Sequence, residues 1–364
     1  MDIKILHAAD LHLDSPFQAL SREKAVQRRR EQRALLADMA ALANKEGVQL
    51  MLLAGDLFDS AVSYHETGEA LNEFFSTVNA QVVIAPGNHD YFSPASPWAS
   101  MKLPENVHLF KSPQISHLDL PALGCRVWGA GFTAAQCPSL LNNFGVGDSG
   151  RIELMVIHGD IGGGAYNPIS PEQIARSGLD YMALGHVHSF SGIQKAGGTH
   201  YAYPGCPEGR GFDETGEKGV ILGTVGKGSV SLSVVPLAKR RYEIISADVT
   251  GSDPETALLH AADTARSEDS VRFILTGEYS GQVDEDALEK LVADRFFAAQ
   301  VVSKVTLPMD IWGGMEENSL RGLFLKNLHN RFEQTADEAA RQQILLAVKY
   351  GLAALDKREE WSPQ

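Results

Sequence analysis

Ile3-Lys4-Ile5-Leu6-His7-Ala8-Ala9-Asp10-Leu11-His12 is a largely apolar run that ends on a carboxylate and an imidazole, and its reading decides the fold. Short apolar runs rich in Val, Ile and Leu read as buried strands. The same event recurs along the chain. Leu50 to Ala54 runs into Gly55-Asp56-Leu57-Phe58-Asp59, and Val82 to Ala85 leads to Gly87-Asn88-His89-Asp90. Leu154 to Ile157 ends on His158-Gly159, and Tyr181 to Leu184 ends on Gly185-His186-Val187-His188. In an open α/β sheet, ligands bind at the carboxyl ends of the strands. These strands therefore deliver carboxylates, imidazoles and one amide to a single rim, the layout of a metal site.

The donor set narrows the choice of ion. Asp10, His12, Asp56, Asn88, His158, His186 and His188 offer oxygen and nitrogen ligands and no thiolate. They are too many for one tetrahedral zinc, which takes about four. They suit two cations of higher coordination, such as Mn²⁺, Fe or Mg²⁺, sharing a bridging carboxylate. Two such ions roughly 3.5–4 Å apart can clamp the attacking and leaving oxygens of a phosphoryl displacement. Any one of these histidines taken singly reads as an ordinary core or surface residue; the ordered set at strand ends does not.

These motifs resemble the calcineurin-like metallophosphoesterase superfamily, whose pattern is DxH, GDxxD, GNH(D/E), H and GHxH. Within it the chain is similar to the bacterial SbcD-type DNA-repair exonucleases, and to a YhaO-like subgroup. The stretches that carry this are His7 to Phe17 and Tyr203-Pro204-Gly205-Cys206-Pro207-Glu208-Gly209-Arg210. The resemblance implies an α/β fold: a four-layer α-β-β-α metallophosphoesterase sandwich, a small α/β second domain and a C-terminal helical pair. It implies a first metal at Asp10, His12, Asp56 and His188, and a second at Asp56, Asn88, His158 and His186, with Asp56 bridging. Mn²⁺ is the first expectation for both, with Mg²⁺, Fe or Zn²⁺ as alternatives. His89 is expected to be a catalytic donor and not a ligand, its other nitrogen fixed by Asp59. Archaeal and eukaryotic relatives of the nuclease tend to carry a histidine where this chain has Asp59. Whether His89 is the sole imidazole to touch substrate therefore stays open.

The neighbours read more plainly. Asp14, Asp90 and Asp160 are expected to support loops, and His7, His65, His108, His117, His200, His260 and His329 lack motif context. Gly162-Gly163-Gly164 reads as a sharp turn after His158, since a glycine run outside a strand–helix phosphate loop is weak evidence of a phosphate site. Arg210 reads as a phosphate contact or a structural arginine.

Composition bounds the rest. The chain has 364 residues and a net charge of −14, which argues against tight unaided DNA binding. Basic patches lie at Arg28-Arg29-Arg30, Arg33 and Lys239-Arg240-Arg241; each reads first as a solvated helix face or a linker. Cys125, Cys137 and Cys206 show no Cys-x-x-Cys spacing, which argues against disulfides and zinc ribbons. No apolar stretch approaches the roughly 18 residues of a membrane span, and the chain opens on a strand without a signal-peptide layout. A cytoplasmic protein without membrane association is expected.

Along the chain, 1–240 reads as the nuclease domain, 241–308 as a small α/β domain and 309–364 as a helical region. Ser21 to Lys45 carries a long helical pattern, and Val220 to Val235 holds late strands. Beyond Tyr242 the pattern is β-α-β-α-β, with a helix over Asp284 to Ala298 and a strand over Val301 to Leu307. In the tail, Leu320, Leu323, Phe324, Leu328 and Phe332 recur at helical spacing, as do Ile344, Leu345, Val348, Leu352 and Leu355. This pair either packs on its own domain or, as the resemblance implies, docks on the coiled coil of an SbcC-like ATPase. The leading expectation is a two-metal DNA exonuclease or endonuclease subunit acting in DNA repair with that partner, and a homodimer is an open option. The alternative is a small-molecule phosphodiesterase or phosphatase. Against a protein phosphatase, no arginine follows Asp59.

Overall fold

The computed structural model describes residues 2–60, 63–147, 149–306 and 311–355. In chain order the strands begin with β1 (Ile3–Ala8), β2 (Leu50–Leu53), β3 (Gln81–Ile84), β4 (Val107–Leu109) and β5 (Ser116–Leu120). They continue with β6 (Cys125–Gly129), β7 (Ile152–His158), β8 (Tyr181–Gly185), β9 (Gln194–Ala196) and β10 (Thr199–Ala202). The last are β11 (Gly219–Gly226), β12 (Ser229–Pro236), β13 (Tyr242–Asp248), β14 (Ser270–Thr276) and β15 (Ala298–Ser303). The helices are α1 (Arg22–Glu46), α2 (His65–Thr77), α3 (Pro97–Ser100), α4 (Pro171–Arg176), α5 (Pro254–Ala262), α6 (Glu285–Val292), α7 (Leu320–Gln334) and α8 (Glu338–Leu355).

The first sheet has the order β12-β11-β1-β2-β3-β4, parallel from β1 to β4 and closed on the other side by the β11–β12 hairpin. The second has the order β5-β6-β7-β8-β10-β9, with β6, β7, β8 and β10 parallel. Strand alternation explains the layers, because successive side chains point to opposite faces. Ile3, Ile5, Leu50, Leu52 and Val83 of the first sheet meet Val127, Leu154, Val156 and Ala183 of the second. Leu6, Met51 and Val82, on the other face, pack under Leu36 and Met39 of α1 and Phe74 and Phe75 of α2. Behind the second sheet, Met155, Ile157, Met182 and Leu184 meet Leu141, Ile169 and Ile174. This is the α-β-β-α sandwich, with loops and the short α4 as its thin fourth layer. All the motif strands end on the same rim of the packed sheets.

The third sheet, β13-β14-β15, is parallel, and α5 and α6 pack on it through Leu258, Leu288 and Val292 against Val271, Phe273 and Leu275. Its helix α6 is shorter than the sequence suggests, and β15 begins at Ala298 instead of Val301. The chain leaves α6 through a tight turn at Ala293–Arg295 that drops Phe296 into the core beside Phe273. Helices α7 and α8 close on Leu325, Val348 and Leu352, with Phe324 and Leu328 at the margin. Leu325, which the spacing did not select, is the inward residue. Leu320 and Leu323, which it did select, are 73% and 66% exposed. The expected boundary at 308/309, the end of the expected strand at Leu307 and the tail beyond 355 lie outside the described residues. Among the described residues no helix is long and apolar enough to cross a membrane.

The expected basic patches are solvated only in part: Arg30 and Lys239 are exposed, whereas Arg28 and Arg240 are buried. Arg28 is fully buried; it donates to Glu208 Oε1 (2.7 Å), Glu31 Oε2 (2.9 Å) and the Gly209 carbonyl (2.9 Å). Arg240 donates to Glu31 Oε1 (2.8 Å), and its guanidinium lies 3.9 Å from the centre of the Phe297 ring. Glu31 thus ties α1 to the third-sheet unit. Burial alone would raise its pKa, but Arg240 and Arg28 hold it down at about 2.

Candidate metal centre

The rim is built from strained backbone. Asp10, His12, Asp56 and His186 have φ of 54°, 44°, 52° and 117°, a region that non-glycine residues rarely enter. Such conformations persist where the surroundings over-determine them, and they cluster at functional sites. Here Asp10 N donates to the Gly55 carbonyl (3.0 Å) and His12 N to the Asp56 carbonyl (2.9 Å), lacing the first two motif loops together. The buried Asp90 carboxylate laces the second to the third, accepting from Asp56 N (3.1 Å), Leu57 N (2.9 Å) and Gly87 N (2.7 Å). Burial and the neighbouring Asp56 charge push the Asp90 pKa up to about 7. Gly87 is needed at its position because a Cβ there would collide with Asp56 Oδ1 and the His158 ring.

The structure brings all the expected ligands into one connected group. Donor atoms of Asp10, His12 and His188 lie within 4.8 Å of one another, as do those of Asp10, Asp56 and His158. Asn88 Oδ1 joins the set 2.9 Å from His158 Nε2 and 3.2 Å from His186 Nδ1. The His186 main-chain N–H donates to both Asp10 oxygens, at 3.1 and 3.0 Å.

The chemistry of these donors fits cations. His12 Nδ1–H donates to Asp59 Oδ1 (3.1 Å) and His188 Nδ1–H to Glu214 Oε1 (2.7 Å), so both Nε2 atoms present lone pairs. Those two Nε2 atoms face each other at 3.2 Å. Two lone pairs this close repel unless a positive charge sits between or beside them. His158 Nδ1–H donates to the Ala54 carbonyl (2.9 Å), which leaves its Nε2 bare and 3.5 Å from Asp56 Oδ2. Burial lowers the pKa of His12 to about 4, against the pull of Asp59, and also lowers those of His158 and His186. The imidazoles are therefore neutral and free to ligate. Burial and the Asp56 charge raise the Asp10 pKa. Asp56 itself, despite burial, lies below the usual range, with the imidazoles of His158 and His12 beside it and the His89 main-chain N–H donating to it. Carboxylates crowded with bare imidazoles in a buried pocket are a cation site by composition.

His89 sits at the exposed edge of this group, its ring 4.7 Å from that of His12, and one of its nitrogens falls within 4.8 Å of donor atoms of His12 and Asp56. Its main-chain N–H donates to Asp56 Oδ1 (2.9 Å). The expected Asp59–His89 dyad takes a different form. His89 Nδ1 donates to the Asp59 main-chain carbonyl (2.9 Å), while the Asp59 carboxylate accepts from His12, from Ser15 Oγ (3.0 Å) and from Arg210 Nη1 (3.1 Å). The carboxylate is drawn away because the Arg210 guanidinium offers it a charge-assisted bond and the buried His12 Nδ1–H needs an acceptor. Arg210 is held by Asp59 and Glu214. Glu214 was missed altogether: it follows no motif, and only a buried carboxylate 26 residues beyond His188 would have hinted at it. Asp14 holds Arg33 and Thr67, and the glycine run turns with positive φ throughout, as expected of loop residues.

Residues 3–190 match the calcineurin-like phosphoesterase family model. Over 276 residues the chain is 31% identical to a Bacillus subtilis protein described as the uncharacterized metallophosphoesterase YhaO, covering 72% of this chain and 67% of that one. It is 24% identical over 260 residues to the SbcD component of the SbcCD nuclease of Bacillus subtilis, covering 59% and 64%. A 96-residue stretch is 33% identical to the corresponding SbcCD nuclease component of Rhodobacter capsulatus, covering 24% and 22%. The chain belongs to the calcineurin-like phosphoesterase family, a family of metal-dependent hydrolases of phosphate esters.

Proposed function

We propose that this chain is the nuclease subunit of a DNA-repair complex, hydrolysing phosphodiester bonds with two divalent cations. The observation that carries the chemistry is the pair of bare imidazole nitrogens 3.2 Å apart beside buried carboxylates, with His89 exposed at their edge. Asp10, His12, Asp56 and His188 would hold one ion; Asp56, Asn88, His158 and His186 the other. When bound, the ions, Mn²⁺ by preference, supply Lewis-acid activation of the phosphate and of the attacking water.

The protein's own part is positioning and proton control. Because Nδ1–H of His89 is pinned on the Asp59 carbonyl, Nε2 can donate only when the ring is cationic. In that form it stabilises the charge building on a phosphate oxygen or protonates the leaving alkoxide. Residues 1–240 form the catalytic unit in this reading, 241–308 a smaller accessory unit and 309–364 a docking element. The exposed Leu320, Leu323, Leu346 and Tyr350 give the helical pair an apolar face for an SbcC-like coiled-coil ATPase.

DNA as substrate is supported by the similarity to proteins named as nuclease subunits. The burial of Arg28 and Arg240 favours the second reading, a small-molecule phosphodiesterase, because those cations are spent inside the protein. Mn²⁺-dependent degradation of end-labelled linear DNA, run beside a nitrophenyl phosphodiester and monoester, decides between them. DNA degradation is expected. Ester turnover with DNA untouched, even with the ATPase added, would establish the small-molecule enzyme.

A further inference from the structure

We propose that Glu214 and Arg210, together with the Asp59 carboxylate, are positioning residues for one of the two metal positions only, the one formed by Asp10, His12, Asp56 and His188. The inference rests on the ligand assignment above.

Its basis is an asymmetry in how the imidazoles are backed. The outer nitrogen of His188 meets Glu214 Oε1 at 2.7 Å, and that of His12 meets Asp59 Oδ1 at 3.1 Å. Two acceptors at such distances would repel, so each Nδ1 carries the hydrogen. Arg210 joins the two carboxylates: Nη2 donates to Glu214 Oε1 (2.5 Å), Nη1 to Asp59 Oδ1 (3.1 Å), and its main-chain N–H to Glu214 Oε2 (2.8 Å). Nη2 also lies 3.0 Å from His188 Nδ1, because both share the same glutamate oxygen. Ser15 Oγ donates to Asp59 (3.0 Å) and Lys218 Nζ to the His188 carbonyl (2.9 Å), which fixes the clamp from outside. On the other side of Asp56, the outer nitrogen of His158 meets no carboxylate among the described residues but the neutral Ala54 carbonyl (2.9 Å).

A carboxylate behind a ligating imidazole fixes its tautomer, holds the ring in place and raises its basicity. The guanidinium keeps the two carboxylates at the spacing that aims both Nε2 atoms at one point. Removing Glu214 therefore frees the His188 ring and weakens one ion, leaving the position at Asn88, His158 and His186 intact.

The test is Mn²⁺ binding to metal-stripped full-length protein, followed by calorimetry and by the electron-spin resonance of the bound ions. Wild type is expected to take up two ions with a spin-coupled signal. In Glu214→Gln, affinity for one ion should fall about 10–100-fold, the other staying within about twofold. The coupled signal should give way to the hyperfine pattern of isolated Mn²⁺. Melting in chelator monitors the fold. If Glu214→Gln does not fold, Arg210→Gln decides by the same readout, since it unties the carboxylates while leaving both in place. Two ions held at wild-type affinity in the folded variant would overturn the clamp. Equal weakening of both ions would refute its restriction to one position. A wild type that binds fewer than two ions would overturn the ligand assignment itself, and the clamp with it.

Discussion

His7 lies between the sheets beneath the rim, and its protonation makes acid stability predictable. The residue is fully buried; its Nε2–H donates to the Leu184 carbonyl (3.1 Å) and its Nδ1 accepts from the Tyr181 hydroxyl (2.9 Å). Burial drives its pKa from the ordinary 6.5 down to about 3, only partly offset by the bond to Leu184. Between those values the unfolded chain binds a proton that the folded chain does not. Stability from this group is therefore complete above the unfolded pKa and is lost as pH falls through the window from 6.5 toward 3. Each pH unit inside the window costs about 1.4 kcal/mol, so acidification from about pH 7 to about pH 5 removes roughly 2 kcal/mol. His7→Gln keeps a donor and an acceptor but cannot titrate. Urea unfolding of metal-stripped wild type and variant at the two pH values isolates the effect, because His12, His158 and His186 titrate in both proteins. The variant, less stable at neutral pH, should lose about 2 kcal/mol less than wild type on acidification. An equal loss in both would refute a neutral, buried His7.

Two further outcomes follow from side chains that reach across the fold. Glu31→Ala leaves Arg28 and Arg240 without their shared carboxylate; the expected cost is about 3–5 kcal/mol, measured by denaturant unfolding, and a change under about 1 kcal/mol would show the pairing to be incidental. Asp59→Ala removes the acceptor of His12 and Arg210 but leaves the main-chain carbonyl on His89. Mn²⁺ affinity should fall about 10-fold or more while turnover at saturating Mn²⁺ stays within about 10-fold of wild type; a collapse of saturated turnover with unchanged affinity would restore the side-chain dyad.

The parts legible in the sequence were those with a local signature. Apolar runs ending at Asp10, Asp56, Asn88, His158 and His186 announced buried strands and a common rim, because strand period and strand end are encoded within a few residues. The order of elements in the third-sheet unit was legible for the same reason. What stayed hidden depends on partners far along the chain. Arg28 read as part of a solvated basic face, since nothing within α1 reveals Glu208, 180 positions away. Glu214 carries no motif, and its role appears only once Arg210 and His188 are folded against it. Asp59 was assigned to the right neighbourhood but the wrong bond: sequence order brings its loop to His89, whereas competition among donors decides which of them its carboxylate takes. In α7 the helical spacing admits two adjacent faces, and packing against α8 selected the one bearing Leu325.

The most direct measurement of how the centre works is made on His89→Gln, with metal content and phosphodiester turnover determined on the same preparation. His89 lies close enough to His12 and Asp56 to ligate, yet is assigned to proton donation. The expected result is the wild-type complement of bound ions with turnover reduced by about 10²–10⁴-fold. Loss of an ion, or turnover at the wild-type rate, would contradict that assignment.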